Sequence, residues 1–381
     1  MVRVAYEATA LLGRRTGVGE FCLNLAQALN FRSDVDLIPF AVSWRGRNRL
    51  SEFMGGIRVP PSKAMPARPL HELWSRWNFP ALDNFTEAFE VVHGTNFVVP
   101  PTRAGARVVT VHDLTPLKFP HIAAPATLEF PKLIQKAISD GAFVHTPSQF
   151  VADEVLENFE VSQERVVAIH HGAPVLHQGL LDDLDHLDND LVRKINTRPF
   201  ILGLGTVEPR KDFSTLLRGY EAIASEYPDL LLVVAGGSGW GSDGFMRAVD
   251  ESRFRNRIIL TGYVDDLTRY YLLRNSQVFV YSSVYEGFGL PPIEAMALET
   301  PVISTRAGSL PEVLGEGALY FEVGDVDGLA SRITNVFEDT NRLSKLLLQG
   351  KNQADRYTWD KSAASMLDLY KRAIRSRPKQ R

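Results

Sequence analysis

The chain has 381 residues, 45% of them hydrophobic, and balances 42 Lys and Arg against 45 Asp and Glu for a formal net charge of −3. That length can bury two sizeable cores and suggests about two domains, while the charge lacks the basic excess of a nucleic-acid binder. Cys22 is the single cysteine, which excludes an intrachain disulfide and fits a reducing compartment. Met1-Val2-Arg3-Val4 opens as a strand instead of a secretory leader, and no apolar run approaches the ~20 residues that span a bilayer. A cytoplasmic protein is expected.

Short apolar runs alternate with helical patterns from end to end, the sign of parallel βαβ units. In the first half, strands are expected at 3–7, 35–42, 91–94, 107–112, 142–146 and 166–170, with helices between them, as at 19–30 and 126–140. Thr16-Gly17-Val18-Gly19-Glu20 precedes an amphipathic helix, and such a loop can present bare amides to a phosphate. It is equally a tight strand-to-helix turn. Arg45, Arg47, Arg49, Arg58, Lys63, Arg68 and Arg76 crowd a stretch that also holds Trp44, Trp74 and Trp77. That surface suits anionic lipid head groups or a lipid-linked acceptor, or is a solvated face with its tryptophans packed inward. Val109-Thr110-Val111-His112-Asp113-Leu114-Thr115-Pro116 ends a strand with His and Asp together. Open α/β sheets bind ligands at such carboxyl ends. His93 and Asp113 are further polar candidates at these strand ends.

Residues 181–197 are acidic and break the strand rhythm, so the interdomain linker is expected there, between domains 1–180 and 198–357. Asp183-x-Asp185 and Asp188-x-Asp190 follow no strand and lack the glycine of a calcium loop. No metal site is expected.

The second half repeats the style, with strands expected at 200–203, 230–235, 258–261, 277–281, 301–304 and 318–321. The first runs into Gly205 and then Val207-Glu208-Pro209-Arg210-Lys211-Asp212, before a helix starting near Phe213. Two cations at a helix N-terminus oppose its dipole, so an anion is expected beside Arg210 and Lys211. The glycine strings at 203–208, 17–22 and 345–351 fail as dinucleotide or P-loop fingerprints. Glu286-Gly287-Phe288-Gly289-Leu290-Pro291-Pro292-Ile293-Glu294 follows a strand and leads into a helix expected at 293–298, with Glu294 in its first turn. A carboxylate, a glycine bend and a helix start suit a sugar phosphate. A last helix, 359–376 within a segment 358–381, has no partner strand, and Trp359, Leu367, Leu369 and Tyr370 offer it an anchoring face.

The Glu-x7-Glu string resembles the signature of retaining glycosyltransferases of family 4. Gly205-Thr206-Val207-Glu208-Pro209-Arg210-Lys211 is similar to that family's diphosphate-binding segment. The resemblance implies the α/β GT-B fold: two Rossmann-like parallel-sheet domains about a cleft, an acceptor-side first domain, a nucleotide-sugar-binding second domain, and a last helix crossing back to the first. It implies that Glu286 faces the donor sugar, Glu294 holds the ribose hydroxyls, and the amides of Phe288, Gly289 and Leu290 meet sugar and diphosphate. Arg210 and Lys211 would stabilise the departing diphosphate, with Gly205 in the same segment. Gly17 and Gly19 would lie over the donor phosphate, and His112 would orient the donor. The string around His112 leans toward the mannosyltransferase-like branch.

The expected activity is metal-independent, retaining hexosyl transfer without cofactor, best matched by GDP-mannose and a saccharide or lipid-linked acceptor in glycan biosynthesis. Peripheral contact with the inner face of the plasma membrane is compatible with it. A dTDP-rhamnose or UDP-sugar donor, a phosphorylase, an epimerase and a non-catalytic sugar-nucleotide binder are the alternatives.

Overall fold

A computed structural model describes residues 1–195 and 198–377. The chain divides into two compact units, Met1–Gly172 with Thr358–Arg381, and Ala173–Tyr357. Each is built on one six-stranded, wholly parallel sheet.

In the first unit the strands are β1 (Val2–Glu7), β2 (Val35–Phe40), β3 (Val91–Gly94), β4 (Ala106–Thr110), β5 (Phe143–Thr146) and β6 (Val166–Ala168), in the order β2-β1-β3-β4-β5-β6. Parallel sheets covered on both faces need strands that are apolar on both sides. β1 from Val4 and nearly all of β3 to β5 are accordingly buried. His112 lies past the end of β4, two residues beyond Thr110, instead of inside the strand as expected. The helix expected at 126–140 is trimmed to Phe130–Ser139, with Pro131 in its first turn, where no amide is needed.

The Trp359–Arg375 helix belongs to this unit, with Trp359, Leu367, Leu369 and Tyr370 all buried. It packs along the Gly17–Asn30 helix and is tied to the sheet by a chain of hydrogen bonds. His145 Nε2 lies 3.0 Å from the Ile169 carbonyl, which can only accept. His145 therefore accepts at Nδ1 from the Thr110 hydroxyl (2.9 Å), which accepts from His93 Nε2 (2.7 Å). His93 Nδ1 in turn accepts from Tyr370 Oη at 2.8 Å. Burial, which pulls both imidazoles well below the usual 6.5, keeps them neutral, and every donor then points the same way.

The second unit contains β7 (Phe200–Leu204), β8 (Leu231–Ala235), β9 (Ile258–Gly262), β10 (Val278–Tyr281), β11 (Val302–Thr305) and β12 (Ala318–Phe321), in the order β12-β11-β10-β7-β8-β9. Its order reverses between β7 and β10, the switch point where such sheets bind ligands.

The described part of the expected linker, 181–195, falls inside the second unit. It contributes to helices Gln178–Asp185 and Asp190–Ile195. Leu184, Val192 and Ile195 are buried and outweigh the exposed aspartates, while Asp185 pairs with Arg274 at 3.0 Å. Asn196 and Thr197 lie outside the described residues, as do 378–381 of the expected last segment. The unit boundaries fall at Gly172/Ala173 and Tyr357/Thr358, so the first boundary lies upstream of the expected one. Among the described residues no helix is long and apolar enough to cross a membrane.

Candidate active site

In the second unit, the carboxyl ends of β7 and β10 converge on one carboxylate. Glu286 follows β10, and its backbone is fixed by Ser309, whose amide and hydroxyl donate to the Glu286 carbonyl at 2.9 and 3.1 Å. Gly308, at φ +59°, lies so close that a Cβ there would overlap that carbonyl. Arg210 and Lys211 occupy a 3₁₀ turn, Pro209–Lys211, after β7. Asp212 then enters the left-handed region at φ 42° and caps the Phe213–Ile223 helix, accepting from Thr215 N at 3.2 Å and Thr215 Oγ1 at 2.7 Å. This cap supplies the anion that two cations before a helix otherwise lack. Ser282 Oγ donates to the carbonyls of Lys211 (2.8 Å) and Asp212 (3.0 Å), locking the turn onto the end of β10.

The side chains then meet. Lys211 Nζ donates to Glu286 Oε1 and to Tyr281 Oη, each at 2.6 Å, and Tyr281 Oη donates to the same Oε1 at 3.0 Å. Arg210 Nη1 lies 2.8 Å from Glu286 Oε2 and donates to the Tyr285 carbonyl at 3.1 Å, while its Nε and Nη2 meet Glu208 Oε1 at 3.2 and 3.0 Å. Gly205, at φ +144°, passes beside the lysine stem, where a Cβ would stand 3.3 Å from Lys211 Cε.

Burial alone would raise the Glu286 pKa, but Arg210 and then Lys211 reverse that and hold it at about 2. Burial pulls the Lys211 pKa down, partly offset by Glu286, and burial beside Glu286 pushes the Tyr281 phenol far up. The result is a neutralised cluster of two acids and two cations, with Glu286 and Lys211 buried and Glu208 and Arg210 half-buried.

Glu294 pairs with a different cation, Arg269. The helix begins at Leu290 and runs to Ala297, earlier than expected, because Gly289 at φ 91° turns the chain and both prolines fit the first turn. Glu294 is thus its fifth residue and not in the first turn. It is buried, and its Oε1 lies 3.3 Å from Arg269 Nη1 on the Asp266–Asn275 helix. Phe288 packs edge-on against Tyr357 at 5.6 Å. A Cβ on Gly289 would stand 2.7 Å from Leu310 Cδ2. Asp188 and Asp190 both face Arg193, and among the described residues no group of three or more His, Cys, Asp or Glu is placed to hold a metal ion.

The first unit carries its own cluster, at the switch point between β1 and β3. Gly17 and Gly19 are the first and third residues of the Gly17–Asn30 helix and not a loop before it, because Glu20 N already closes on Thr16 O at 2.9 Å. His112 Nε2 donates to the Thr95 carbonyl at 2.8 Å, and the Thr95 hydroxyl donates to the Glu7 carbonyl at 2.8 Å and to Glu7 Oε2 at 3.1 Å. Burial depresses His112 to about 4, so it is neutral and its Nδ1 is an acceptor. Asp113 Oδ1 accepts from Thr115 N at 2.8 Å, an Asx turn. His93 is fully buried in the hydrogen-bond chain to Tyr370.

Tyr281, Arg269, Glu7 and Thr95 were not singled out from the sequence. Tyr281 sat in plain view as the last residue of an apolar strand, where a tyrosine signals a buried hydroxyl in need of a partner. Arg269 carried no local signal.

Two family models match: "Glycosyltransferase Family 4" over residues 15–175 and "Glycosyl transferases group 1" over 189–353. An O-antigen chain mannosyltransferase B of Escherichia coli is 27% identical over 378 residues, spanning 93% of this chain and 96% of its own length. The serotype-specific mannosyltransferase WbdA of Escherichia coli is 28% identical over 298 residues, 74% of this chain but 36% of its own length. A crystal structure of HepE from Anabaena in complex with UDP and glucose superposes with a TM-score of 0.73 at 15% identity, covering 97% of this chain and 100% of the other. The chain is a glycosyltransferase of the GT-B fold and belongs to family 4.

Proposed function

We propose that the protein transfers a mannosyl group from GDP-mannose to a saccharide or lipid-linked acceptor in glycan biosynthesis, with retention of configuration and without a metal. The observation that carries this reading is the Glu286–Lys211–Arg210 cluster at the carboxyl ends of β7 and β10. A glycosyl transition state resembles an oxocarbenium ion, with positive charge at the anomeric carbon and negative charge growing on the departing diphosphate. Lys211 and Arg210 supply cations for the second charge and Glu286 an anion for the first. The anomeric carbon–phosphate oxygen bond breaks while the bond to the acceptor oxygen forms on the same face. The acceptor proton passes to the departing phosphate oxygen. Glu286 serves as a hydrogen-bond acceptor for donor hydroxyls and not as a nucleophile, since both its oxygens are engaged by cations and its pKa is about 2.

Mannose is favoured because relatives similar over 93% and 74% of this chain are named mannosyltransferases. A UDP-sugar is the second reading, favoured by the UDP and glucose of the similar HepE structure. Incubation with single sugar nucleotides and an oligosaccharide acceptor decides between them. GDP release with GDP-mannose, and an anomeric NMR coupling matching the donor's, are expected. Turnover with UDP-glucose alone rejects the mannose assignment, and an inverted product rejects retention.

A further inference from the structure

Residues 44–79, within the segment between β2 and β3, are strongly basic and take no part in either cluster above. Residues 44–79 carry seven cations, Arg45, Arg47, Arg49, Arg58, Lys63, Arg68 and Arg76, against two acids, Glu52 and Glu72, in a chain whose net charge is −3. Both acids are taken locally, by Arg49 at 3.1 Å and Arg76 at 2.6 Å. Arg45, Lys63 and Arg68 are exposed and pair with no acid among the described residues. In the same stretch three large aromatic side chains face outward: Trp44 is 62% exposed, Trp77 58% and Phe79 66%. Tryptophan is rarely so open on a folded surface.

These side chains are held on a fixed scaffold. Met65 N donates to Ser43 O at 3.2 Å and Arg47 Nε to Ser62 O at 3.2 Å, joining the segment after β2 to the start of the Ala67–Arg76 helix. That helix buries Leu70 and Trp74 in the core of the first unit, and Trp74 Nε1 donates to Pro80 O at 3.0 Å, which pins the turn carrying Trp77 and Phe79. Trp74 therefore faces the core, while Trp44 and Trp77 do not.

We propose that this surface docks the protein on an anionic phospholipid bilayer, with Trp44, Trp77 and Phe79 entering the interfacial layer and the unpaired cations meeting the head groups. Aromatic side chains with an apolar body and a polar tip favour that layer, and each nearby cation strengthens binding to an anionic surface by about 5-fold. The helix bearing Arg68 and Arg76 has 10 residues, too short to span, so the contact is peripheral. The proposal does not depend on which sugar nucleotide is used.

Flotation of the full chain with vesicles tests it. Binding is expected to vesicles mixing phosphatidylglycerol with phosphatidylcholine, to be far weaker with phosphatidylcholine alone, and to fall as salt rises. The double variant Arg45→Ala/Arg68→Ala should bind mixed vesicles about 25-fold more weakly. Trp77→Ser/Phe79→Ser should lose binding and also lose the quenching of tryptophan fluorescence by brominated lipid. All four positions are exposed, so melting temperature and release of nucleoside diphosphate from a soluble donor should stay as in the parent. Equal binding to both vesicle types, no binding to either, or parental binding by the aromatic variant overturns the proposal. So does retention of the chain on single-stranded nucleic acid as tight as on mixed vesicles, which would make the stretch a general polyanion site.

Discussion

At the scale of single residues, the diphosphate of the proposed donor would compete with Glu286 for the same two cations. Arg210 Nη1 and Lys211 Nζ are both spent on this carboxylate, at 2.8 and 2.6 Å. Glu286→Gln removes the anion but keeps the shape, so turnover should fall while free nucleoside diphosphate binds more tightly than to the parent, as calorimetry would show. Weaker binding would mean that the carboxylate organises the cations and does not rival the ligand. Lys211→Ala should lower kcat by about 10²-fold, the scale of one preorganised donor lost from a developing charge. Because these cations stand ready to answer the diphosphate charge, activity is expected to survive EDTA. Loss on chelation with rescue by magnesium would refute that. Arg210, Lys211 and Glu286 were legible because each sits in a compact string at a strand end. Tyr281 joins the cluster, and Arg269 meets Glu294, only through space, Lys211 and Tyr281 being 70 positions apart, and no local pattern records such a pairing.

At the scale of elements, the hydrogen-bond chain from Tyr370 through His93, Thr110 and His145 to Ile169 anchors one helix to four successive segments of the first sheet. Tyr370→Phe leaves His93 Nδ1 buried without its donor, which should cost about 1–3 kcal/mol in urea unfolding. A cost near zero would show that the ring contacts alone hold the helix. The strands themselves were easy to read, since buried parallel strands are continuous apolar runs. Their ends, and the helix starts, were not. The Leu290–Ala297 helix begins where Gly289 reaches φ 91°, a backbone fact that Gly-Leu-Pro-Pro permits without specifying. The Gln178–Asp185 and Asp190–Ile195 helices hid because few apolar residues, Leu184, Val192 and Ile195, do their burying among many aspartates.

At the scale of the whole molecule, acid should act on the two units in sequence. His93, His112, His145 and His171 are all pushed below the usual 6.5 by burial, His112 to about 4 and His145 to about 3. A depressed folded pKa means the unfolded chain takes up protons first. The stability of the first unit is therefore full above pH 6.5 and drains as pH falls toward 4, on the order of 3 kcal/mol from His112 alone. In the second unit Glu286 falls from 4.5 to about 2, so its contribution persists above pH 4.5 and is lost only below it. Hydrogen exchange by mass spectrometry between pH 7 and 4 should show protection lost first in peptides from β3, β4 and β5. Earlier loss in β7 and β10 would contradict this. The first unit is also discontinuous in sequence, with residues 1–172 at one end and the Trp359–Arg375 helix at the other. Domains normally complete in the order in which the ribosome delivers them. Here the first to emerge must wait: until residue 370 is translated, His93 has no tyrosine to receive from, and the second unit, delivered whole by residue 357, can finish folding ahead of the domain that began before it.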